Sequence, residues 1–192
     1  MKKIGITGGI ATGKSTVSHY LRQKGYTVVD ADEAARAVVA PMSLGIDKVI
    51  DAFGHQMVKS DGQLDRELLG SVIFKDEAKR DQLNHLLHPL IMDWMDQQIA
   101  KAETEIVFVD VPLLYEVGYD QKVDRVWLVY VNRMTQLQRL MDRNHLTEQE
   151  ANQRINSQWS LEAKKEKADV VINNEGDLDT LYRQIDQLLE EL

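Results

Sequence analysis

The chain has 192 residues, of which 43% are hydrophobic and 28% charged, and its 31 acidic and 23 basic side chains give a formal net charge of −8. The apolar fraction is too high for a disordered chain, and the length corresponds to one domain with insertions. The sequence contains no cysteine, which excludes a disulfide scaffold, a thiolate zinc site and a cysteine nucleophile. The negative charge argues against a surface that binds duplex nucleic acid, because neutralisation of phosphates dominates such binding.

The sequence also argues against a membrane span or a leader peptide. No stretch approaches the roughly 18 apolar residues that a membrane-spanning helix needs. The first six residues resemble the start of a signal peptide, but Thr7, Gly8 and Gly9 interrupt the apolar run and Lys14 ends it. We therefore expect a cytoplasmic protein that keeps its first residue.

Five short runs rich in β-branched and aromatic residues predict strands. They cover Lys3–Thr7, Thr27–Asp30, Ile106–Asp110, Arg125–Val131 and Asp169–Ile172. Their apolar residues are continuous rather than alternating, which is typical of parallel strands that are covered on both faces. Helical patterns lie between the runs, so we predict an α/β fold.

Helical periodicity is clear after the first strand and at the end of the chain. The first helix is predicted from Ser15 to about Lys24, with Gly25 as its stop signal. The last covers 177–192, where Asp177 is a candidate N-cap before a leucine-rich stripe.

The region between the second and third strands has about 75 residues, too many for one crossover helix. Residues 64–87 have an amphipathic helical pattern that is interrupted near residue 75. The pair His88-Pro89 then predicts a helix end, because proline lacks the amide that an interior helical position donates, and another helix is predicted to about Ala102. We expect a small helical insertion here.

The segment 133–167 differs from the rest of the chain in charge. It holds seven basic and five acidic residues, a net charge of +2, which leaves −10 for all other residues. A solvated helical hairpin and a basic lid over an anionic ligand both fit this composition.

The residues Gly8–Ser15 (GGIATGKS) match the P-loop pattern G-x-x-x-x-G-K-[ST], between a predicted strand and a predicted helix. Glycines let successive amides turn inward around an anion, and the following helix presents its positive N-terminus to phosphates. In this pattern Lys14 bridges the β- and γ-phosphates and the Ser15 hydroxyl ligates Mg²⁺. The alternative is a glycine-rich turn that binds no ligand, but packing does not explain why a Lys-Ser pair would stand at the N-terminus of a helix.

Asp110 ends the apolar run 106–110, as the carboxylate of a Walker B strand does. Such a carboxylate can hold Mg²⁺ directly or through water. Strands often end in aspartate, so this interpretation depends on the P-loop nearby.

A second acidic motif follows the second strand, where Asp30, Asp32 and Arg36 occur in DADEAAR. In open α/β sheets this strand end is where ligands bind. Two carboxylates that flank one alanine favour a base that receives a hydroxyl proton. The alternative is an N-cap aspartate with an exposed ion pair between Asp32 and Arg36.

Taken together, these motifs resemble the dephospho-coenzyme A kinases over nearly the whole chain. The P-loop is shared by a vast superfamily, whereas the DAD…AR element, PLLYE and the pattern before the last helix are more specific in combination. The segments that carry the resemblance are Gly5–Thr16, Asp30–Arg36, Asp61–Phe74, His88-Pro89, Val109–Glu116, Gln138–Arg143 and Arg154–Asn174.

The resemblance implies ATP-dependent phosphorylation of the ribose 3′-hydroxyl of 3′-dephospho-CoA, with Mg²⁺, to give coenzyme A and ADP. It implies a P-loop NTPase core with a five-stranded parallel sheet (1–58, 103–132 and 168–192), a helical substrate-binding insertion (about 59–102) and a helical lid (about 133–167). It also implies a small-molecule substrate, no nucleic-acid or membrane partner, and a monomer or weak homo-oligomer.

The resemblance further implies a role for each candidate residue. The expected catalytic residues are Lys14, Asp32 and Arg139. The expected ATP-binding residues are Ala11, Thr12, Gly13, Lys14, Ser15, Thr16, Arg143 and Asn174. The expected substrate-binding residues are Asp30, Arg36, His88, Leu113 and Glu116. The expected Mg²⁺ ligands are Ser15 and Asp110.

Three other functions share the P-loop. A kinase for nucleoside monophosphates or sugars would have the loop and a lid, but not DAD…AR together with PLLYE. A GTPase would carry an N-K-x-D motif, and the chain has none. A nucleic-acid-dependent ATPase would need a phosphate track that is basic overall, unlike this acidic chain.

Overall fold

The computed structural model describes all 192 residues apart from the side chain of Lys75. The strands are β1 (Lys2–Gly8), β2 (Thr27–Asp30), β3 (Ile106–Asp110), β4 (Arg125–Tyr130) and β5 (Val170–Asn173). The helices are α1 (Lys14–Gln23), α2 (Ala31–Ala37), α3 (Leu44–Phe53), α4 (Arg66–Lys75), α5 (Glu77–Ala100), α6 (Arg133–Asn144), α7 (Glu148–Asn156), α8 (Leu161–Lys165) and α9 (Leu178–Glu190). Among the residues described, every helix is too short or too polar to cross a lipid bilayer.

The strands form one parallel sheet in the order β2-β3-β1-β4-β5, which confirms the predicted α/β fold. In the central strand, Ile6 pairs with Asp110 of β3 on one side and with Trp127 of β4 on the other. Because parallel strands end at the same edge, the P-loop after β1 and Asp110 at the end of β3 lie on adjacent strands. The segments after β4 and β5 begin at this edge too.

The strand boundaries agree closely with the sequence predictions. Those of β2 and β3 coincide with them, while β1 is one residue longer at each end and β4 one residue shorter. In contrast, β5 begins at Val170 rather than Asp169. The Asp169 amide donates a hydrogen bond to the Val126 carbonyl at 3.1 Å, and its side chain accepts one from the Val126 amide at 2.7 Å, so this residue contacts β4 just before β5 begins.

The chain forms two compact units, one of Met1–Val29 with Ala102–Leu192 and the other of Asp30–Lys101. The second unit holds the predicted helical insertion. It begins at Asp30, however, whereas the sequence analysis placed the start of the insertion near residue 59, so α2 and α3 belong to the helical unit.

The core of the first unit lies between the sheet, α1 and α9. Its largest buried side chains include Trp127 and Phe108, both without exposed surface, and their rings lie 5.2 Å apart between centroids. The continuous apolar strands and the stripes of α1 and α9 supply the remaining buried residues, which are Ile4, Ile6, Val17, Leu21, Val129, Ile172, Leu181 and Ile185. Each buried side chain of this size contributes about 1.5–3 kcal/mol, which makes the sheet a firm base for the loops at its edge.

The helical unit has a separate apolar core, and its longest helix corrects one prediction. Helix α5 continues through Pro89, so the prediction that the His88-Pro89 pair ends a helix was wrong. Proline removes one amide donor, but Leu83 before it and Met95 and Ile99 after it are buried. Packing on both sides of the proline holds the two halves of α5 as one helix.

Candidate active site

The P-loop connects β1 to α1 and leaves the N-terminus of α1 open to an anion. Gly13 precedes the helix with φ +85°, and among the described residues no side chain caps this helix end. The first amides of a helix have no partner within it and carry the positive end of its dipole. Ala11 also has a positive φ, +62°, so the loop curls at two points. This geometry favours a bound phosphate group.

Two neighbouring side chains brace the inside of the loop. Thr12 is fully buried, and its hydroxyl donates a hydrogen bond to the Gly9 carbonyl at 2.9 Å. The amide nitrogen of Asn174, the residue after β5, donates to the Thr12 carbonyl at 2.8 Å. A Cβ atom at Gly13 would collide with this amide and displace the Asn174 side chain, and the positive φ at this position also favours glycine. Asn174 therefore binds the P-loop backbone.

Lys14 and Asp110 form an ion pair at the carboxyl ends of β1 and β3. The side chain of Asp110 is 2% exposed, and its second oxygen accepts a hydrogen bond from the Ser18 hydroxyl at 2.5 Å. Ser15 is exposed on the first turn of α1, and among the described residues no hydrogen bond joins it to Asp110. The structure thus brings Lys14 to Asp110 and leaves the Ser15 hydroxyl facing solvent.

The helices of the predicted lid belong to the same compact unit as the sheet and contact the P-loop. The Gln136 side chain of α6 donates to the Ile10 carbonyl at 2.9 Å, and the Ile10 amide donates to Gln158 at 3.0 Å. Buried Leu140 of α6 and Ile155 of α7 pack in one apolar cluster with the P-loop side chain of Ile10. Segment 133–167 is therefore packed on the loop, in contrast to a solvated hairpin.

The two arginines proposed for the lid have different surroundings. Arg139 is half-buried on α6, and its guanidinium donates to the Asn174 carbonyl at 2.9 Å. Arg143, one turn later, is exposed and donates to the side chain of Asn144 at 2.9 Å. Arg139 is thus tied to the residue that braces the P-loop, whereas Arg143 contacts only its sequence neighbour among the hydrogen-bond partners described.

The turn after β3 carries two predicted substrate-binding residues. Leu113 is 39% exposed. Glu116 is largely buried, and one of its oxygens pairs with the Lys164 ammonium at 2.9 Å and accepts from the Trp159 amide at 3.0 Å. Its other oxygen is buried without a hydrogen-bond partner among the described residues. Burial lowers the pKa of Lys164, and the carboxylate of Glu116 acts in the opposite direction.

The remaining predicted residues lie in the helical unit. Asp30 caps α2 by accepting from the amides of Asp32 at 2.7 Å and Glu33 at 3.2 Å. Asp32 and Arg36 are exposed on α2, and no ion pair joins them among the residues described. One aspartate of this motif thus caps a helix, as the alternative interpretation expects, but the described residues show no ion pair between Asp32 and Arg36.

His88 is exposed in the middle of α5. It lines a surface groove of about 270 Å³ together with Asn84, His85 and Pro89. The described residues contain no cluster of three or more His, Cys, Asp or Glu side chains that could hold a metal ion.

Three residues of the site were missed by sequence reasoning. Ser18 anchors Asp110, Gln158 binds the Ile10 amide, and Lys164 is fully buried beside the P-loop. Gln158 and Lys164 both left a signal, because they lie in the segment 154–174 that carries the family resemblance, whereas Ser18 lies outside those segments. Composition alone could not separate Lys164 from Lys165 and Lys167, which are exposed.

Comparison with known proteins agrees with this geometry. The family model of dephospho-CoA kinase (CoaE) matches residues 2–180. A dephospho-CoA kinase of Shouchella clausii is 48% identical over 187 residues, which cover 95% of this chain and 94% of that protein.

Solved structures extend the similarity to the fold. The crystal structure of TT1252 from Thermus thermophilus has a TM-score of 0.87 at 31% identity and covers 100% of this chain and 97% of that one. Dephospho-CoA kinase from Campylobacter jejuni has a TM-score of 0.76 at 28% identity, again with 100% and 97% covered. With its P-loop, its parallel sheet and a family match over nearly its full length, this chain belongs to the dephospho-CoA kinase family.

Proposed function

We propose that the chain transfers the terminal phosphoryl group of ATP to the ribose 3′-hydroxyl of 3′-dephospho-CoA, giving coenzyme A and ADP in the final step of coenzyme A biosynthesis. The observation that carries this proposal is the family match over residues 2–180. A P-loop alone would not suffice, because kinases with many different acceptors share it.

ATP is the phosphoryl donor, and we propose that residues 11–16 hold its phosphates. The open N-terminus of α1 and the curled loop support this role, since both present amide hydrogens to an anion. Lys14 would neutralise charge on the transferred phosphoryl group. The ion pair with Asp110 supports this role because it keeps the ammonium extended at the edge of the sheet.

Mg²⁺ fits the donor set at this edge. A hard, small cation prefers carboxylate and hydroxyl oxygens and retains several waters. Asp110 and Ser15 supply such oxygens at the ends of β3 and the P-loop, although Asp110 is bonded to Lys14 and Ser18. We propose that these two residues hold Mg²⁺ when the nucleotide is bound, and that the ion then offsets charge on the phosphates.

The acceptor side of the reaction is assigned to the helical unit and to the turn after β3. We propose that Asp32 orients the 3′-hydroxyl and takes its proton, and that Asp30 shapes the start of α2 beside it. The exposed carboxylate of Asp32 supports this role, because its side chain has no hydrogen bond among the described residues. Arg36, which is exposed on the next turn, would bind an acceptor phosphate or the ribose.

Further substrate contacts are proposed for His88, Leu113 and Glu116. The exposure of His88 and Leu113 and the unpaired oxygen of Glu116 support them, since each offers surface or a free acceptor to a ligand. Asn174 follows β5, where we propose that the adenine of ATP binds.

Segment 133–167 is proposed to act as the lid, with Arg139 as the residue that meets the transferring phosphoryl group and Arg143 as a further ATP contact. Exclusion of water by such a lid would prevent hydrolysis of ATP from competing with transfer. The net charge of −8 supports a small-molecule substrate rather than a nucleic acid. We further infer a monomer or weak homo-oligomer that acts in the cytoplasm without a membrane partner.

A panel of acceptors tests the proposal. ADP release from ATP and Mg²⁺ would be followed with 3′-dephospho-CoA, a nucleoside monophosphate, a sugar, or no acceptor. We expect ADP release to depend on 3′-dephospho-CoA alone. Equal release with another acceptor would favour a different small-molecule kinase, and equal release without any acceptor would indicate an ATPase.

A further inference from the structure

Lys164 is unusual among the lysines of this chain because its side chain has no exposed surface. It lies in α8, the last helix of the proposed lid segment 133–167, while Lys165 beside it is exposed. Burial of an ammonium group is costly unless each of its protons finds an acceptor and its charge a partner. The contacts of Lys164 must therefore offset the cost of burying its charge.

The Lys164 ammonium has three acceptors, one for each of its protons. They are the Gly8 carbonyl at 3.4 Å, the Pro112 carbonyl at 3.0 Å and a carboxylate oxygen of Glu116 at 2.9 Å. The ion pair compensates the charge, and the two carbonyls complete the hydrogen bonding. One buried cation in α8 thus binds two segments that are distant from it in sequence, the end of β1 and the turn after β3.

These segments adjoin Lys14, a proposed catalytic residue, and Asp110, a proposed Mg²⁺ ligand. Gly8 ends β1 and begins the P-loop, six residues before Lys14. Pro112 follows Asp110 by two residues, and its carbonyl also accepts from the Thr7 hydroxyl at 3.1 Å. Because β1 and β3 are adjacent in the sheet, Lys164 binds backbone carbonyls at the carboxyl ends of two neighbouring strands.

The third contact connects Lys164 to the segment before α8. The oxygen of Glu116 that binds Lys164 also accepts from the Trp159 amide, and Gln158 next to it binds the Ile10 amide of the P-loop. A displacement of Lys164 would therefore disturb the contacts of the P-loop at two positions, Gly8 and Ile10.

We propose that Lys164 is a positioning residue for phosphoryl transfer, which holds the Gly8 carbonyl and the turn after Asp110 so that the P-loop amides and Lys14 keep the orientation that transfer requires. The inference rests on the proposed function of this site. Lys164 acts through the loop and does not touch the phosphate. Since transfer depends on alignment of the reacting groups, a displacement of about 1 Å is enough to lower the rate by up to about 100-fold.

The first test replaces the ammonium with an apolar chain of similar length, Lys164→Met, and uses Lys165→Met on the exposed face of α8 as the matched control. Steady-state kinetics would be measured with ATP and 3′-dephospho-CoA varied in turn, together with circular dichroism to verify folding. We expect Lys164→Met to lower kcat about 10- to 100-fold with each KM changed less than about threefold. Lys165→Met should keep the wild-type kcat.

Folded Lys164→Met with a wild-type kcat, or with a change in KM alone, would overturn the proposal. Wild-type protein in the same experiment separates this outcome from failure of the proposed function. If the wild type does not turn over 3′-dephospho-CoA, the acceptor assignment fails. If it does and Lys164→Met matches it, only the positioning role fails.

A second variant decides the question if Lys164→Met does not fold. Glu116→Gln retains the hydrogen-bonding shape but removes the carboxylate that favours the protonated form of Lys164, while burial and the Lys14 ammonium continue to disfavour it. The proposal then predicts that kcat at saturating substrates falls at a lower pH in Glu116→Gln than in the wild type. Identical alkaline limbs in the two proteins would overturn it.

Discussion

At the scale of single residues, charged side chains hold the site together by binding backbone atoms as well as each other. Lys14 pairs with Asp110, Asp110 accepts from Ser18, and the Arg139 guanidinium donates to a backbone carbonyl. Hydrogen bonds to charged groups are stronger than neutral ones, and in a buried setting they fix orientation. These contacts therefore fix the positions of the Lys14 ammonium and the Arg139 guanidinium before a nucleotide binds.

The two carboxylates assigned to proton transfer and to the metal should respond differently to amide substitution. Asp32→Asn keeps the shape of an exposed side chain but cannot take the hydroxyl proton, so we expect a lower kcat with little change in the KM for ATP. Asp110→Asn would weaken the proposed oxygen ligand of Mg²⁺ and should raise the Mg²⁺ concentration needed for half-maximal rate. Initial rates over a Mg²⁺ titration of both variants provide the measurement.

A reversed pattern would show that the two roles have been exchanged. Asp32→Asn would then alter only the Mg²⁺ dependence, and Asp110→Asn would lower kcat at every Mg²⁺ concentration.

At the scale of secondary structure, α6 is the element that carries Arg139 to the P-loop. Asn132 caps this helix by accepting from the Thr135 amide at 2.9 Å, and buried Leu140 holds it against the loop. If Arg139 contacts the phosphoryl group only during transfer, Arg139→Ala should lower kcat and kcat/KM together by about 100-fold or more, with KM nearly unchanged. Steady-state kinetics with both substrates varied measures this.

Arg139→Lys and Arg143→Ala complete that comparison. An ammonium lacks the planar fork of a guanidinium, so Arg139→Lys should recover little activity. Recovery to the wild-type rate, or a pure KM effect, would assign Arg139 to ground-state binding and make Arg143 the better candidate for transfer.

The continuity of α5 leads to a prediction about stability. In a helix interior, proline is about 3 kcal/mol less favourable than alanine. Proline also restricts the conformations of the unfolded chain, which lowers the entropy lost on folding and partly offsets this cost. Pro89→Ala should therefore raise the free energy of unfolding by about 1 kcal/mol or more in urea titrations. A decrease would mean that the helix requires the proline, as it would at a natural helix boundary.

The strands and the P-loop could be predicted because their signals are local. The apolar runs predict the first and last residues of β2 and β3 correctly, and the glycines together with Lys14 identify the loop. The helix end predicted at Pro89 was wrong because packing of Leu83 and Met95 on either side of the proline outweighs one missing hydrogen bond. Lys164 could not be distinguished from Lys165, since its burial depends on carbonyls that lie 52 and 156 residues away in the chain.

At the scale of the whole molecule, one buried tyrosine should make stability depend on alkaline pH. Burial of Tyr115 raises its pKa to about 12, with smaller contributions from Asp169 and Asp120. Between pH 10 and 12 the unfolded chain loses this proton while the folded chain keeps it, so stability falls as the pH rises. The loss between pH 9 and 11, measured by urea unfolding, should be smaller in Tyr115→Phe. Equal losses in the two proteins would contradict the assignment.

The whole molecule is proposed to transfer a phosphoryl group from ATP, held by the P-loop, to the ribose 3′-hydroxyl of 3′-dephospho-CoA. Transfer of the label from γ-³²P-ATP to 3′-dephospho-CoA, with the labelled position identified by selective removal of the 3′-phosphate, tests this claim most directly. We predict that the label lies on the ribose 3′-oxygen, that Lys14→Ala lowers its incorporation by about 100- to 1,000-fold, and that Lys79→Ala on an exposed helical surface does not. Label released as inorganic phosphate at the same rate with and without acceptor, or label at another position of the acceptor, would contradict it.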